Sequence, residues 1–171
     1  MSVMQEWIIR PGRLNDVEPL VAFSQAMALE TEGRRLDADR LQRGTRALLN
    51  STVHGFFMIA EHPQIKQMVG QLMITYEWSD WRNAIFWWIQ SVYVDPAWRR
   101  QGVFRNLHKN VIEQAKADPG VCGVRLYVES GNWIAQDVYR RVGFKPSSYS
   151  VFETDFVLGQ AHNLEDRPDE A

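Results

Sequence analysis

The chain has 171 residues, enough for one domain with a hydrophobic core. Its apolar fraction of 45% and charged fraction of 23% are typical of a globular protein, and its net charge of −2 offers no general attraction for nucleic acid or acidic lipid. Cys122 is the only cysteine, which excludes an intrachain disulfide and a cysteine metal cluster. The sequence shows no signal-peptide pattern and no apolar run of about 20 residues, so we expect a cytoplasmic protein without a membrane partner.

The first half of the chain predicts one strand, two helices and a strand hairpin. Residues 6–10 (EWIIR) are typical of a short strand and are followed by a Pro-Gly turn. Apolar residues recur at helical spacing from Leu14 to Glu30 and again from Ala38 to Asn50. Gly55–Glu61 and Gln67–Trp78 are β-rich runs with HPQIK between them, which indicates a hairpin.

The second half predicts alternating strands and helices. Ala84–Val94 is apolar at nearly every position and rich in aromatic and β-branched residues, as expected of a central strand covered on both faces. A helix is predicted over Gly102–Ala117, a strand over 123–129 (GVRLYVE) and a helix over Trp133–Val142. Residues 148–158 (SYSVFETDFVL) predict a last strand or two.

The order of these elements predicts one mixed α/β domain over residues 1–158. No internal repeat or linker divides the chain. Residues 159–171 are polar and acidic, and we expect them to form a disordered tail.

The turn after the predicted central strand carries Arg99, Arg100 and Gly102. A helix N-terminus leaves backbone N–H groups unpaired and places partial positive charge there, which favours phosphate. Gly102 lets the backbone approach an anion closely, and the two arginines add forked hydrogen-bond donors. Taken alone, the segment is equally consistent with solvated arginines and a simple glycine turn, and it matches neither a Walker loop nor a dinucleotide fingerprint.

A second segment, LYVESGNWIAQDVYRRVGF (Leu126 to Phe144), places Asn132 at a strand-to-helix junction. Tyr139 lies on the following helix, on one face with the alanine four residues earlier and beside the apolar stripe. R-x-x-G-x-F after V-Y-V-D-P, followed by L-x-V-x-x-x-N-x-x-A-x-x-x-Y-x-x-x-G-F, resembles the GNAT superfamily of N-acetyltransferases. The resemblance is strong over Ser91 to Phe144 and excludes the acidic tail.

The resemblance implies an α/β fold of the α+β mixed-sheet kind, with a mostly antiparallel sheet of about six to seven strands flanked by four helices. It also implies acetyl-coenzyme A as acyl donor and no metal. The turn would grip the pyrophosphate, and the central strand would pair with the pantetheine arm. The cofactor-binding residues so implied are Val92, Tyr93, Val94, Arg99, Arg100, Gln101, Gly102, Val103, Phe104, Asn132 and Tyr139.

Two positions depart from the family pattern. Phe104 stands where glycine or alanine is usual, and a side chain of this size is tolerable if it turns into the core. Arg100 stands where glycine is common, and it either adds a phosphate contact or is simply exposed.

Amine acetylation needs a neutral amine, a polarised thioester carbonyl and protonation of the leaving thiolate. The resemblance places the Tyr139 hydroxyl near the sulfur, so Tyr139 is the predicted acid. A structural helix tyrosine is the alternative. A backbone N–H near Val92 is a candidate oxyanion donor.

The general base is less clearly marked. Several relatives use a glutamate on the central strand or the one before it. Here the central strand carries Gln90, which takes no proton but can position the amine or a water. Glu77, at the end of the preceding strand, is the candidate base, with Asp80, Glu30 and Glu32 as alternatives. Each of these carboxylates is also compatible with a solvated surface charge.

Aromatic residues near these carboxylates suggest an acceptor pocket. Trp87 and Trp88 are neighbours on a strand and therefore face opposite sides, so one fills the core while the other lines the cleft. Tryptophan faces beside carboxylates suit a cationic amine, although packing alone would also explain them. The predicted acceptor-binding residues are Glu30, Trp78, Asp80, Trp87 and Gln90.

The function these features favour is direct transfer of acetyl from acetyl-coenzyme A to a primary amine in a ternary complex. A small-molecule amine is preferred as acceptor. A peptide or protein amine, or a non-catalytic acyl-coenzyme A sensor, are the alternatives, and strand edges in this fold leave a homodimer open. The four histidines show no metal-binding spacing.

Overall fold

A computed structural model describes residues 6–158. Within this range the chain forms five strands and four α-helices, with short 3-10 helices at Leu14–Asp16 and Pro96–Trp98. None of the described helices is long and apolar enough to cross a membrane. In chain order the elements are β1 (Ile8–Pro11), α1 (Val17–Glu32), α2 (Ala38–Leu49), β2 (Gly55–Glu61), β3 (Met68–Ser79), β4 (Ala84–Val94), α3 (Val103–Ala117), β5 (Val121–Leu126) and α4 (Trp133–Arg141).

The helix ends follow from local capping chemistry. The Asp37 carboxylate accepts a hydrogen bond from the amide of Arg40 and begins α2. Asn132 caps α4 in the same way by accepting from the amide of Ala135 at 3.0 Å. Gly33 ends α1 in the left-handed conformation, with φ of 62°, which a residue without Cβ adopts freely.

The sheet has the order β1-β2-β3-β4-β5. The first four strands pair antiparallel, and β4 pairs parallel with β5. A parallel pair needs a crossover, which α3 supplies. The predicted mixed, mostly antiparallel sheet with four helices is therefore confirmed, with fewer strands than the expected six to seven.

The missing strand is the one predicted over residues 148–158. These residues form no ladder with any described strand, and Val151, Phe152 and Phe156 are exposed. A strand needs a neighbour to satisfy its backbone groups, and a β-rich pattern does not by itself supply one. The predicted tail at 159–171 lies outside the described residues.

Helices cover both faces of the sheet. On one face, α3 packs Val103, Leu107 and Val111 against the large core that includes Leu72 and Ile74. Gly70 permits this close approach, because a Cβ there would lie 2.8 Å from Val103 Cγ1. On the other face, a smaller cluster forms where α1 and α2 pack on the sheet.

The two parallel strands separate partway along β4. Their ladder ends at the pair Ile89–Leu126, while β4 continues to Val94. Ser91 has a φ of 51°, and the β3–β4 register shifts beside it, so β4 bulges at this point. Residues 90–94 therefore keep β3 on one side and present a backbone edge without a described strand partner on the other.

Candidate active site

The turn that leads from β4 into α3 presents a row of backbone amides. The amides of residues 101–105 make no well-aligned hydrogen bond to any acceptor within residues 6–158. Gly102 is the N-cap of α3 with φ of 84°, and Arg100 is also left-handed with φ of 63°. Amides converging at a helix N-terminus form an anion-binding site. We call residues 99–104 the phosphate turn.

An aromatic cluster beneath the phosphate turn holds it in place. The Trp7 indole N–H donates a hydrogen bond to the Gln101 carbonyl at 3.1 Å. The Trp7 ring packs edge-on against Trp98 and His62, with ring centroids 5.7 Å away in each case. In the sequence, Trp7 is indistinguishable from any apolar strand residue, and only the long-range contact shows its role.

Arg99 joins the phosphate turn to α1. Its guanidinium donates two hydrogen bonds of 2.7 Å to the Glu30 carboxylate, and its Nε donates to the Val94 carbonyl at 2.8 Å. Hydrogen bonding to Arg99 lowers the pKa of Glu30. The predicted phosphate ligand and the predicted acceptor ligand are therefore paired with each other. Arg100 is exposed.

Tyr139 lies on α4, and its ring faces the start of α3. Its ring packs edge-on against Phe104 at 5.7 Å and Phe144 at 6.2 Å between centroids. Burial raises the pKa of the Tyr139 hydroxyl, so this group stays protonated at neutral pH. The hydroxyl makes no hydrogen bond to another described residue. The large side chain at Phe104 thus contacts the predicted acid.

Asn132 is occupied as the cap of α4, since its side-chain oxygen accepts the Ala135 amide. Its amide nitrogen has no hydrogen-bond acceptor among the described residues. This nitrogen is the part of the side chain available for the predicted contact with the pantetheine arm.

The sheet face opposite α3 carries a group of polar and aromatic side chains next to the strand separation. The Gln90 amide donates to the Thr75 hydroxyl at 2.6 Å, and its carbonyl accepts from the Tyr127 hydroxyl at 3.5 Å. The Tyr127 and Trp88 rings lie 5.7 Å apart between centroids. We call this surface the open face; it comprises Thr75, Glu77, Phe86, Trp88, Gln90, Arg125 and Tyr127.

Glu77, the predicted base, is already engaged on the open face. One carboxylate oxygen accepts from the Arg125 guanidinium at 2.8 Å, and the other accepts from the Trp88 indole N–H. Arg125 lies 3.6 Å above the Phe86 ring and 5.9 Å from that of Trp88. Nothing in the sequence marks Arg125, Tyr127 or Thr75 as members of this surface.

The tryptophans are arranged differently from the prediction. Trp87 is only 7% exposed and packs in the main core against Phe56, with centroids 5.2 Å apart. Trp88 points the other way, into the open face, so the neighbour predicted to line the cleft is the one that fills the core. The alternation between the two faces was foreseen, but the direction of each was not.

Two further predicted acceptor residues lie away from Gln90. Trp78 pairs with Ile85 near the tip of the β3–β4 hairpin, and Asp80 lies in the turn itself. At about 3.4 Å per residue along β4, Ile85 is about 17 Å from Gln90. The structure therefore connects Gln90 with Glu77 through Tyr127 and Trp88. It leaves Trp78, Asp80 and Glu30 outside this group.

Within residues 6–158, no group of three or more histidine, cysteine or acidic residues could hold a metal ion. The site is built from backbone amides, aromatic rings and hydrogen-bonding side chains.

Comparison with known proteins identifies the family. Residues 20–144 match the model of the acetyltransferase (GNAT) family. The chain belongs to this family. The match covers both motifs that carry the resemblance and confirms it.

Three relatives illustrate the range of the family. Bovine (Bos taurus) thialysine N-epsilon-acetyltransferase is 32% identical over 81 residues, which cover 47% of this chain and 46% of that enzyme. A protein of Clostridium difficile 630 described as a possible acetyltransferase is 38% identical in its crystal structure, with a TM-score of 0.82 over 88% of this chain and 98% of that one. A protein of Clostridium acetobutylicum described as a predicted acetyltransferase, crystallised with acetyl-CoA, shares the fold at 17% identity, with a TM-score of 0.71 over 87% of this chain and 96% of that one.

Proposed function

We propose that this protein transfers an acetyl group from acetyl-coenzyme A to the primary amine of a small molecule, directly and in a ternary complex. The observation that carries the proposal is the separation of β4 from β5 immediately before the phosphate turn. It gives one continuous surface with a backbone edge for an extended arm and a cluster of amides for a diphosphate.

The donor fits residues at three places along this surface. The amides of residues 101–105 would bind the pyrophosphate, with Arg100 available to add charge. The edge of β4 at Val92, Tyr93 and Val94 would pair with the amide groups of the pantetheine arm. The Asn132 amide nitrogen would donate to the same arm.

The chemistry assigned to the protein is proton transfer and positioning. The amine nitrogen forms a bond to the thioester carbonyl carbon, the carbon–sulfur bond breaks, and the thiolate takes the Tyr139 hydroxyl proton. The amine proton would pass to a water molecule and from it to the Glu77 carboxylate, while Gln90 would orient the amine. Because both oxygens of Glu77 are engaged, this predicted base would act through a water molecule.

Two features support a small molecule as acceptor. The bovine relative is named for thialysine, a free amine. The open face is a compact group of side chains from three neighbouring strands, and its aromatic rings are suited to the methylene groups of a short amine.

The role of Tyr139 is tested by Tyr139→Phe, which keeps the packing against Phe104 and Phe144. We expect kcat with a responsive amine to fall about 10²-fold, because the general acid is lost, with the acetyl-coenzyme A dissociation constant unchanged. Because burial raises the pKa of Tyr139, its hydroxyl stays protonated well above neutral pH. We therefore expect that kcat of the wild-type protein does not fall through loss of this proton near neutral pH. Unchanged kcat in the variant would contradict the assignment.

Direct transfer is tested by Cys122→Ser, which removes the only thiol of the chain. A direct mechanism predicts unchanged kcat, whereas its loss would indicate an acetylated cysteine. In the same thiol-release assay, tight acetyl-coenzyme A binding without release with any amine would favour the sensor alternative over an enzyme.

A further inference from the structure

A buried glutamine on β3 lies beside the bulge of β4. Gln71 is fully buried, and the β3–β4 register pairs it with Tyr93, just beyond the bulge at Ser91. Its amide nitrogen donates to the Ser24 hydroxyl of α1 at 3.1 Å and to the Ser91 carbonyl at 3.4 Å. Gln71 therefore links α1 and β3 to the bulge of β4.

Two unfavourable features meet at this contact. Gln71 Oε1 is buried and accepts no hydrogen bond from any of residues 6–158. A buried polar atom left unpaired costs about 1–3 kcal/mol, which an apolar side chain of similar size would avoid. Ser91 has a left-handed φ of 51°, which costs a non-glycine residue about 1–2 kcal/mol. Both costs are expected at a functional site rather than in a core built for stability alone.

The hydrogen-bond pattern between β3 and β4 shows where the β4 amides point. The Asp95 amide donates to the Val69 carbonyl at 3.0 Å. Hydrogen-bonded and non-hydrogen-bonded pairs alternate along an antiparallel ladder, so the next hydrogen-bonded pair is Gln71–Tyr93. The Val92 amide then points away from β3, towards the edge where β4 has separated from β5.

One peptide unit connects Gln71 to this amide. The Ser91 carbonyl and the Val92 N–H belong to the same planar trans peptide, so they point in opposite directions. A donor that holds the carbonyl on the β3 side therefore holds the N–H on the side of the free edge. A hydrogen bond to the carbonyl also polarises the peptide, which strengthens the hydrogen bond that the N–H can donate.

Resting on the proposed function, we propose that Gln71 is a positioning residue for the oxyanion donor. By holding the Ser91 carbonyl, Gln71 directs the Val92 N–H at the thioester carbonyl oxygen of acetyl-coenzyme A. This oxygen gains negative charge as the amine attacks, so an N–H oriented in advance stabilises the transition state more than the bound donor. Gln71 contacts neither substrate and acts through the peptide between residues 91 and 92.

The proposal is tested by Gln71→Met, which keeps the length of the side chain and removes its hydrogen-bond donors. Acetyl-coenzyme A with a ¹³C label at the thioester carbonyl is bound without an amine, and its carbonyl stretch is measured by isotope-edited infrared spectroscopy. We expect a higher frequency in the variant than in the wild type, because the hydrogen bond to this oxygen is weaker. With a responsive amine, kcat should fall about tenfold, while the acetyl-coenzyme A dissociation constant and the KM for the amine stay unchanged.

Two further variants separate hydrogen-bond donation from packing. Burial keeps the carboxyl of Gln71→Glu protonated, so its O–H can donate to the same carbonyl, and this variant should retain more kcat than Gln71→Met. Equal losses in both would contradict the proposal. Thr45→Val removes a different buried polar group, on α2, and should leave kcat and the carbonyl band unchanged.

The outcomes separate this inference from the function on which it rests. A wild-type band and wild-type kcat in Gln71→Met refute the inference and leave the acetyltransferase proposal standing. A lower kcat with an unchanged band also refutes it, because Gln71 would then act elsewhere. Acetyl-coenzyme A binding without thiol release with any amine refutes the proposed function, while the carbonyl band still decides whether Gln71 orients the Val92 N–H.

Discussion

At the phosphate turn the groups offered to a ligand are the backbone amides of residues 101–105, whereas on the open face they are side chains from three neighbouring strands. The turn depends on the conformation of a few residues and on one long-range anchor, Trp7. The open face depends on the identity of each residue, since Glu77, Trp88 and Arg125 hold one another.

This difference explains how one fold can keep its acyl donor while its acceptor varies. Backbone amides offer the same donors whatever side chains surround them, so the anion site needs only a glycine-compatible turn and a helix start. Under the proposed function, specificity for the acceptor would come from individual charges and rings, each of which a single substitution changes. Predictions for the two regions should therefore separate donor binding from acceptor use.

The largest effect is expected at the phosphate turn. Gly102→Val places a β-branched residue at φ of 84°, which costs about 1–2 kcal/mol and turns the amides away from the anion. We expect the acetyl-coenzyme A dissociation constant, measured by calorimetry, to rise about tenfold, with the KM for the amine little changed. Gly44→Ala, in α2 with open space around it, is the matched control and should bind normally. Normal acetyl-coenzyme A binding by Gly102→Val would contradict the assignment of donor binding to the phosphate turn.

A smaller effect is expected on the open face, where the KM for the amine should change and the affinity for the donor should not. Trp88→Phe keeps a ring but removes the indole N–H that Glu77 accepts, which loosens the Glu77–Arg125 pair. The KM for the amine should rise about fivefold, corresponding to one lost hydrogen bond, while donor affinity stays constant. Trp81→Phe, at a side chain 84% exposed in the hairpin turn, should change neither. Weaker donor binding in Trp88→Phe would show that the two regions are coupled.

The smallest effect concerns the bridge between α1 and the phosphate turn. Glu30→Gln removes an ion pair whose side chains are 38% and 46% exposed, so the melting temperature at pH 7 should fall by only about 1–2 °C. Because pairing with Arg99 lowers the pKa of Glu30, this stabilisation is present above the ordinary glutamate range and is lost as pH falls through the lowered value. Melting curves of both proteins should therefore converge in acid, and a difference that grows as pH falls would contradict the assignment.

Local signals predicted most of the fold. Helical spacing of apolar residues, the asparagine cap of α4 and the apolar run of β4 all depend on neighbours in sequence, and each element formed close to its expected bounds. The strand over 148–158 was wrong because its formation depends on an edge elsewhere in the sheet. An alternating pattern predicts which side chains share a face of a strand. It does not predict whether a partner strand is present.

In the candidate site, too, features set by neighbouring residues could be predicted, whereas contacts between distant residues could not. Gly102 and the start of α3 follow from a contiguous motif, so the glycine turn before α3 lies where the sequence predicts it. Phosphate binding at this turn stays a prediction. The pairing of Arg99 with Glu30 joins residues far apart in sequence, and no local pattern predicts it. Trp87 and Trp88 show a further limit of prediction from sequence. Alternation places the two side chains on opposite faces of the sheet, but the residue that lies in the core depends on which face α3 covers.

The sequence by itself determined the family, the element order and the position of the glycine turn before α3, because each is set by residues close together along the chain. Only the tertiary structure decided the surroundings of the proposed acceptor site. There, side chains from β3, β4 and β5 meet on one face, and register and bulge choose which residues meet. Arg125 lies beside Phe86, Trp88 and Glu77 for this physical reason, and no local pattern in the sequence indicates these contacts.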